Sequence, residues 1–204
     1  MGIEEFLILV FVSICSNSCF AIEESAVFYI KPSPNAPCPE VSCLTLSKFI
    51  AHTTLKLNTT LIFLPGNYSL GTEISVKNLK NLAIVSNSCT IICQRDASFK
   101  FYNIGCLWIR GLKFVGCGNN QALFVKEFVL DNCIFLGQKE SGTALEVNET
   151  SLSVVNTSFV FNTVGSFRGP IGILKYWFNG TLESDCPYAY VGGAIIATQA
   201  MSLS

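Results

Sequence analysis

Trp108-Ile109-Arg110-Gly111-Leu112-Lys113-Phe114, Val129-Leu130-Asp131-Asn132-Cys133-Ile134-Phe135 and Ser153-Val154-Val155-Asn156-Thr157-Ser158-Phe159 are three versions of one line. Aligned on the closing Phe, each has an apolar residue five positions back and a Gly or Asn three back. The steps from Phe to Phe are 21 and 24 residues. A period in this range marks a stack of units that bury apolar surface only against their neighbours. In a coiled parallel stack each position lies over its equivalent one coil away, so like residues pile up. Phe114, Phe135 and Phe159 are then an internal aromatic ladder, and Ile109, Leu130 and Val154 an aliphatic one. Gly111, Asn132 and Asn156 fall at a corner where left-handed backbone is needed, which Gly and Asn tolerate best. An earlier coil is expected at Ile84, 25 residues before Ile109, with Cys89 at the Phe position.

The flanking sequence agrees. Short runs rich in Val, Ile, Leu and Phe recur at 61–64, 68–70, 82–85, 89–93, 99–101, 123–125, 144–147 and 152–155, separated by Gly, Asn, Ser or Asp. Strands this short without intervening helices exclude a doubly wound α/β fold and leave a sandwich, a barrel or a solenoid. The repeat selects the solenoid, because a sandwich has no reason to place one residue type at one recurring position. Before the coils, AVFYIK (Ala26–Lys31) suits a strand, and Pro32, Pro34, Pro37 and Pro39 punctuate a loop. Ser42 is the expected N-cap of a short helix with Leu46, Phe49 and Ile50 on its apolar side. Such a helix would cover the open end of a stack, which otherwise exposes core side chains and a free strand edge.

Composition points to an exported protein. The 204 residues are 50% hydrophobic and only 13% charged, which excludes disorder. A net charge of −1 with no polybasic run gives no electrostatic basis for binding nucleic acid. The apolar run 6–14, followed by small Ala21, reads as a secretory leader cut after Ala21, although Glu4 and Glu5 precede it where Lys or Arg is usual. It is too short for a stable membrane span. Removal of the leader takes Cys15 and Cys19 and leaves Cys38, Cys43, Cys89, Cys93, Cys106, Cys117, Cys133 and Cys186 as disulfide candidates. No Cys-x-x-Cys pair is present, and the lone His52 has no nearby Cys, so no zinc site or other cofactor is expected. Cys38 with Cys43 is a plausible local pair; the sequence leaves the remaining connectivity open. Five sequons, Asn58, Asn67, Asn148, Asn156 and Asn179, are N-glycosylation candidates. Asn156, at the repeated corner, is expected to face inward and to be closed to a glycan.

The stretch Leu61-Ile62-Phe63-Leu64-Pro65-Gly66-Asn67-Tyr68-Ser69-Leu70 resembles the first-coil signature of right-handed parallel β-helices of the pectate-lyase-like superfamily. Phe159-Val160-Phe161-Asn162 and Gly192-Gly193-Ala194-Ile195 are similar to the FxxN and GGAI repeats of polymorphic outer-membrane adhesins and related extracellular β-helix proteins. The resemblance covers about residues 26–200. It implies an all-β, right-handed parallel β-helix solenoid with a short N-terminal capping helix. The expected organisation is a leader (1–21), a Pro/Cys loop and helix as cap (22–59) and coils (60–204), with GGAI opening a coil that the sequence given does not complete.

Catalytic signatures of the fold are thin. Lyases of this kind bind Ca²⁺ through several carboxylates, and hydrolases need paired acidic residues. The chain has three Asp: Asp96, Asp131 and Asp185. Asp131 is expected beside Arg110 one coil below, with Val155 one coil above, as a surface ion pair. Cys133, in the column of Leu112 and Thr157, is expected either as a small buried hydrophobe or as a disulfide partner. The expected role is non-catalytic adhesion, or recognition of an extracellular glycan or protein by a secreted or cell-surface solenoid. The alternative is a carbohydrate-active enzyme or its degenerate relative.

Overall fold

The computed structural model describes residues 26–39, 43–52, 55–94, 97–118, 120–137, 144–160, 195–198 and 202–203. Among the described residues thirteen strands join in one sheet that winds into a parallel β-solenoid of about four turns. One full coil is seen in β6 (Phe99–Val115). Its leading segment, residues 99–102, ends at Asn103 (φ 52°); a middle segment, 106–110, ends at Gly111 (φ 71°); a trailing segment, 112–115, follows. The coil before it is β5 (Ile74–Cys93), and the next is β7 (Asn120–Asp131) with β8 (Ile134–Leu136). Beyond these lie β9 (Leu145–Asn148), β10 (Ser151–Val155) and β11 (Ser158–Val160), then β12 (Ile195–Thr198) on β9 and β13 (Ser202–Leu203) on β10. The N-terminal side starts with β1 (Ala26–Lys31), which pairs in parallel with β3 (Asn58–Phe63), while β4 (Gly66–Leu70) lies under the trailing part of β5.

The corners on either side of the middle segment are columns of left-handed backbone. One runs Gly111, Asn132 and Asn156 (φ 71°, 52° and 47°), and the other Asn78, Asn103, Phe124 and Glu149 (φ 59°, 52°, 58° and 47°). Gly111 meets a second demand, since a Cβ there would collide with the backbone carbonyl oxygen of Ser86 in the coil below. Alternation within each segment sends every second side chain inward. The inward columns form one core, including Leu82–Leu107–Phe128–Leu152 and Leu61–Ile84–Ile109–Leu130, with partly buried Val154 next. The aromatic ladder is present: Phe114 and Phe135 stack at 4.8 Å and 12°, and Phe135 and Phe159 at 4.9 Å and 8°. It continues toward the N-terminus as Ile91 and Tyr68. The Tyr68 hydroxyl lies 2.7 Å from the carbonyl oxygens of both Ile30 and Leu64. Burial pushes its pKa well above the usual phenol value.

Four expectations are corrected. First, Cys89 is not at the Phe position. Val85 pairs with Arg110 but Cys89 with Leu112, so the coil below carries two extra residues at that corner and Ile91 takes the Phe rung. Second, the capping helix α1 (Leu46–His52) starts later than expected, because Cys43–Thr45 is a strand, β2, paired with β1. Thr45 rather than Ser42 supplies the cap, its Oγ1 accepting from Lys48 N at 3.4 Å. Leu46 and Phe49 are buried, Phe49 edge-on to Phe28 at 6.0 Å, whereas Ile50 is 40% exposed. Third, Asn156 is exposed rather than turned inward, because a corner residue in left-handed backbone points away from the core. Fourth, Cys89 and Cys133 are buried free thiols and not disulfide partners. They share the column Cys89–Leu112–Cys133–Thr157 with Leu112 between them. Two rungs at about 4.8 Å each put their Cα atoms beyond the ~7 Å limit for a bridge.

Candidate functional site

A solenoid filled by its own side chains offers ligands only its outer faces, its corners and its ends. The three faces differ in chemistry. On the leading face, Ser75, Lys100, Gln121 and Glu146 form one outward row, and Lys77, Tyr102, Leu123 and Asn148 the next. Neighbouring coils are tied by side chains: Lys100 Nζ to Glu73 Oε2 at 2.8 Å, the Tyr102 hydroxyl to Gln121 Oε1 at 3.3 Å, and Gln121 Nε2 to Glu146 Oε2 at 2.7 Å. The hydrogen bond to Glu73 raises the Lys100 pKa, so the row keeps a fixed cation beside acceptors. Asn103 Nδ2 donates to Asn78 Oδ1 at 2.9 Å along the adjoining corner. The Asn148 Oδ1 atom is buried and has no hydrogen-bond partner.

The middle face carries the Arg110–Asp131 pair, with Nε and Oδ2 3.3 Å apart and Val155 above Asp131 in register. Arg110 also lies 5.8 Å over the Trp108 ring. Glu127 is the other outward carboxylate of the same strand, four residues away and hence about 13 Å. Asp96 and Asp185 lie outside the described residues, as does the His52 side chain. Among the described residues no group of three His, Cys, Asp or Glu could hold a metal ion, and no helix is long and apolar enough to cross a membrane. On the trailing face, Ile92 and Ile134 are 42% and 40% exposed, flanked by Thr90, Lys113 and Ser158.

The cysteines are structural. Cys38 pairs with Cys43, closing the Pro-rich loop, and Cys93 with Cys117, whose Cα atoms are 4.8 Å apart. The second bridge joins successive coils across 24 residues, one coil step, and that spacing is the signal that could have identified it. Cys106 is also disulfide-bonded; Cys186 lies outside the described residues. Burial pushes the Cys89 and Cys133 thiols up to about 11, which keeps both protonated and unreactive near neutrality. Of the sequons, Asn67 is exposed at the turn into β4 and Asn156 at its corner. Asn58 is 8% exposed and accepts from Asn81 Nδ2 at 2.9 Å, a pairing that an attached glycan would disrupt. Asn179 lies outside the described residues.

The geometry therefore defines a class: a parallel β-solenoid with polar, apolar and mixed outer faces. In comparison with known proteins, the chain matches no family model, no curated protein and no solved structure.

Proposed function

We propose that the protein is an extracellular, non-catalytic β-helix of the right-handed pectate-lyase-like kind that recognises a glycan along its leading face. The observation that carries the reading is the outward row Lys100, Gln121 and Glu146 with Tyr102 from the adjoining row, in which donors and acceptors are held by their neighbours in successive coils. Side chains fixed in this way lose little conformational entropy when a ligand binds. The row repeats along the axis, so a polymeric ligand can engage several rungs weakly and together. Two disulfides that persist in oxidising compartments support an extracellular setting.

The test is one preparation of secreted protein assayed on a glycan array and for cleavage of polygalacturonate, with and without Ca²⁺. Binding without cleavage, weakened by Tyr102→Ala and Gln121→Ala, is the expected result. Cleavage would overturn the non-catalytic reading and direct attention to Asp131 and Arg110. Binding untouched by both substitutions would remove the leading face as the site. Silence in both assays would sink the glycan reading in favour of a protein ligand.

A further inference from the structure

Phe124 occupies a corner that suits it in neither backbone nor burial. Its φ of 58° puts it in the left-handed column with Asn78, Asn103 and Glu149, where the Cβ of an L-residue crowds the following carbonyl oxygen. Asn offsets that crowding with a short polar side chain that can hydrogen-bond locally; a bulky apolar residue does not. The core does not compensate either. Phe124 is 52% exposed, and among the described residues it is the one aromatic side chain that is exposed rather than buried or half-buried. The conformation is fixed from both sides. Leu123 pairs with Tyr102 and Val125 with Ile104 in the coil below, and Val125 N donates to Thr150 Oγ1 at 3.2 Å in the coil above. A rigid corner therefore holds an aromatic ring in solvent, with backbone strain and apolar exposure that the fold does not require.

The surroundings define what the ring can meet. Phe124 adjoins the leading face at its outward row Lys77, Tyr102, Leu123 and Asn148, so a second aromatic residue, Tyr102, stands one coil below on the side of the ligand row. The Tyr102 hydroxyl is held at Gln121 Oε1. In the corner column below Phe124, Asn103 Nδ2 donates to Asn78 Oδ1 at 2.9 Å, which aligns two exposed amides along the axis. The exposed side chains nearest in the chain and in the column, Lys126 two residues on and Glu149 one coil above, carry opposite charges, so neither sign dominates beside the ring. An apolar ring flanked by aligned amides and a phenol matches a ligand with C–H groups on one side and hydroxyls around its rim. A neutral pyranose is such a ligand, and a β-1,4-linked chain presents one after another.

We infer, resting on the reading of the leading face as a glycan site, that Phe124 is the platform on which one unit of a neutral, β-1,4-linked pyranose chain stacks, with the amides of Asn78 and Asn103 meeting its hydroxyls. Calorimetric titration with β-1,4-linked hexasaccharides of glucose, mannose and galactose, alongside thermal unfolding of the same samples, tests it. Phe124→Asn removes the ring and installs a side chain that the left-handed corner tolerates better. It should unfold at the same or a higher temperature and bind roughly tenfold or more weakly, the loss expected of one stacked ring. Phe124→Trp should retain binding. Affinity unchanged in Phe124→Asn but weakened by Tyr102→Ala and Gln121→Ala would overturn the inference and leave the leading-face reading standing. A clear fall in the unfolding temperature of Phe124→Asn would assign the ring to the fold and overturn it as well. Binding of none of the three hexasaccharides would also overturn it, and the glycan array then decides separately whether the leading face takes another glycan.

Discussion

Phe135→Ala is the substitution whose cost the ladder sets most directly. Phe135 is 2% exposed and lies between two parallel rings, Phe114 at 4.8 Å and Phe159 at 4.9 Å. Truncating a buried Phe to Ala costs about 3–5 kcal/mol through lost transfer energy and the cavity left behind. Two stacked partners, each contributing about 0.5–1.5 kcal/mol beyond burial, place this site in the upper half of that range. Relaxation is restricted too, because the backbone on both sides is fixed by parallel pairing to Phe114 and Phe159. Phe159→Ala should cost less, about 1–3 kcal/mol, since Phe159 is only partly buried. Urea unfolding of the three proteins, followed by far-ultraviolet circular dichroism, gives the comparison. A loss at Phe135 under about 1 kcal/mol, or a larger loss at Phe159, would refute its assignment as an inner rung.

Three further outcomes follow from the geometry. Gly111→Ala should destabilise by about 2 kcal/mol or more, because a left-handed φ and a collision with the Ser86 carbonyl act together, whereas Gly137→Ala, with a left-handed φ and open space, should cost about 1–2 kcal/mol; equal losses in thermal unfolding would contradict the close approach at Gly111. Cys89 and Cys133 keep their protons in the folded chain up to about 11, against an ordinary 9.0, so their contribution is fully present below the lower value and disappears as pH rises through the upper one. Stability measured by denaturant should therefore fall across this window, and the fall should shrink in Cys89→Ala/Cys133→Ala; a profile that the double substitution leaves unchanged would contradict the assignment. A double-mutant cycle on Arg110 and Asp131 should give a coupling below about 1 kcal/mol, as both side chains are partly exposed; several kcal/mol would reveal a functional pair.

The ladders were legible because stacked coils repeat a residue type at a fixed position: Phe114, Phe135 and Phe159 are neighbours in space for the same reason that they align in sequence. The corner glycine and asparagines carried their own signal in their tolerance of positive φ. The Arg110–Asp131 pair followed once the coil step was fixed. Other features were hidden by local irregularity. The two extra residues between Val85 and Cys89 bulge outward without altering the apolar pattern, so they moved Cys89 by one alternation without a trace in composition. Thr45 displaced Ser42 as the cap because β2 pairs with β1, a tertiary contact that overrides local capping preference. The separate cluster of Ala83, Val85 and Trp108 was invisible because periodicity places residues on a face but does not tell how far that face is buried. The polar row of the leading face arises only where Lys100, Gln121 and Glu146 are brought into register by coils of unequal length.

In-register parallel stacking is the claim on which every face assignment depends, and engineered crosslinking tests it most directly. Lys113 and Ile134 pair across adjacent coils on the outside of the trailing face. Their Cα atoms should be about 4.8 Å apart, within the range a disulfide spans, whereas Lys113 and Leu136 are offset by two residues and about 8 Å apart. Lys113→Cys/Ile134→Cys should form a bridge under mild oxidation, seen as a linked peptide by mass spectrometry, and Lys113→Cys/Leu136→Cys should not. Equal crosslinking of both pairs, or of the offset pair alone, would contradict the register and the solenoid built on it.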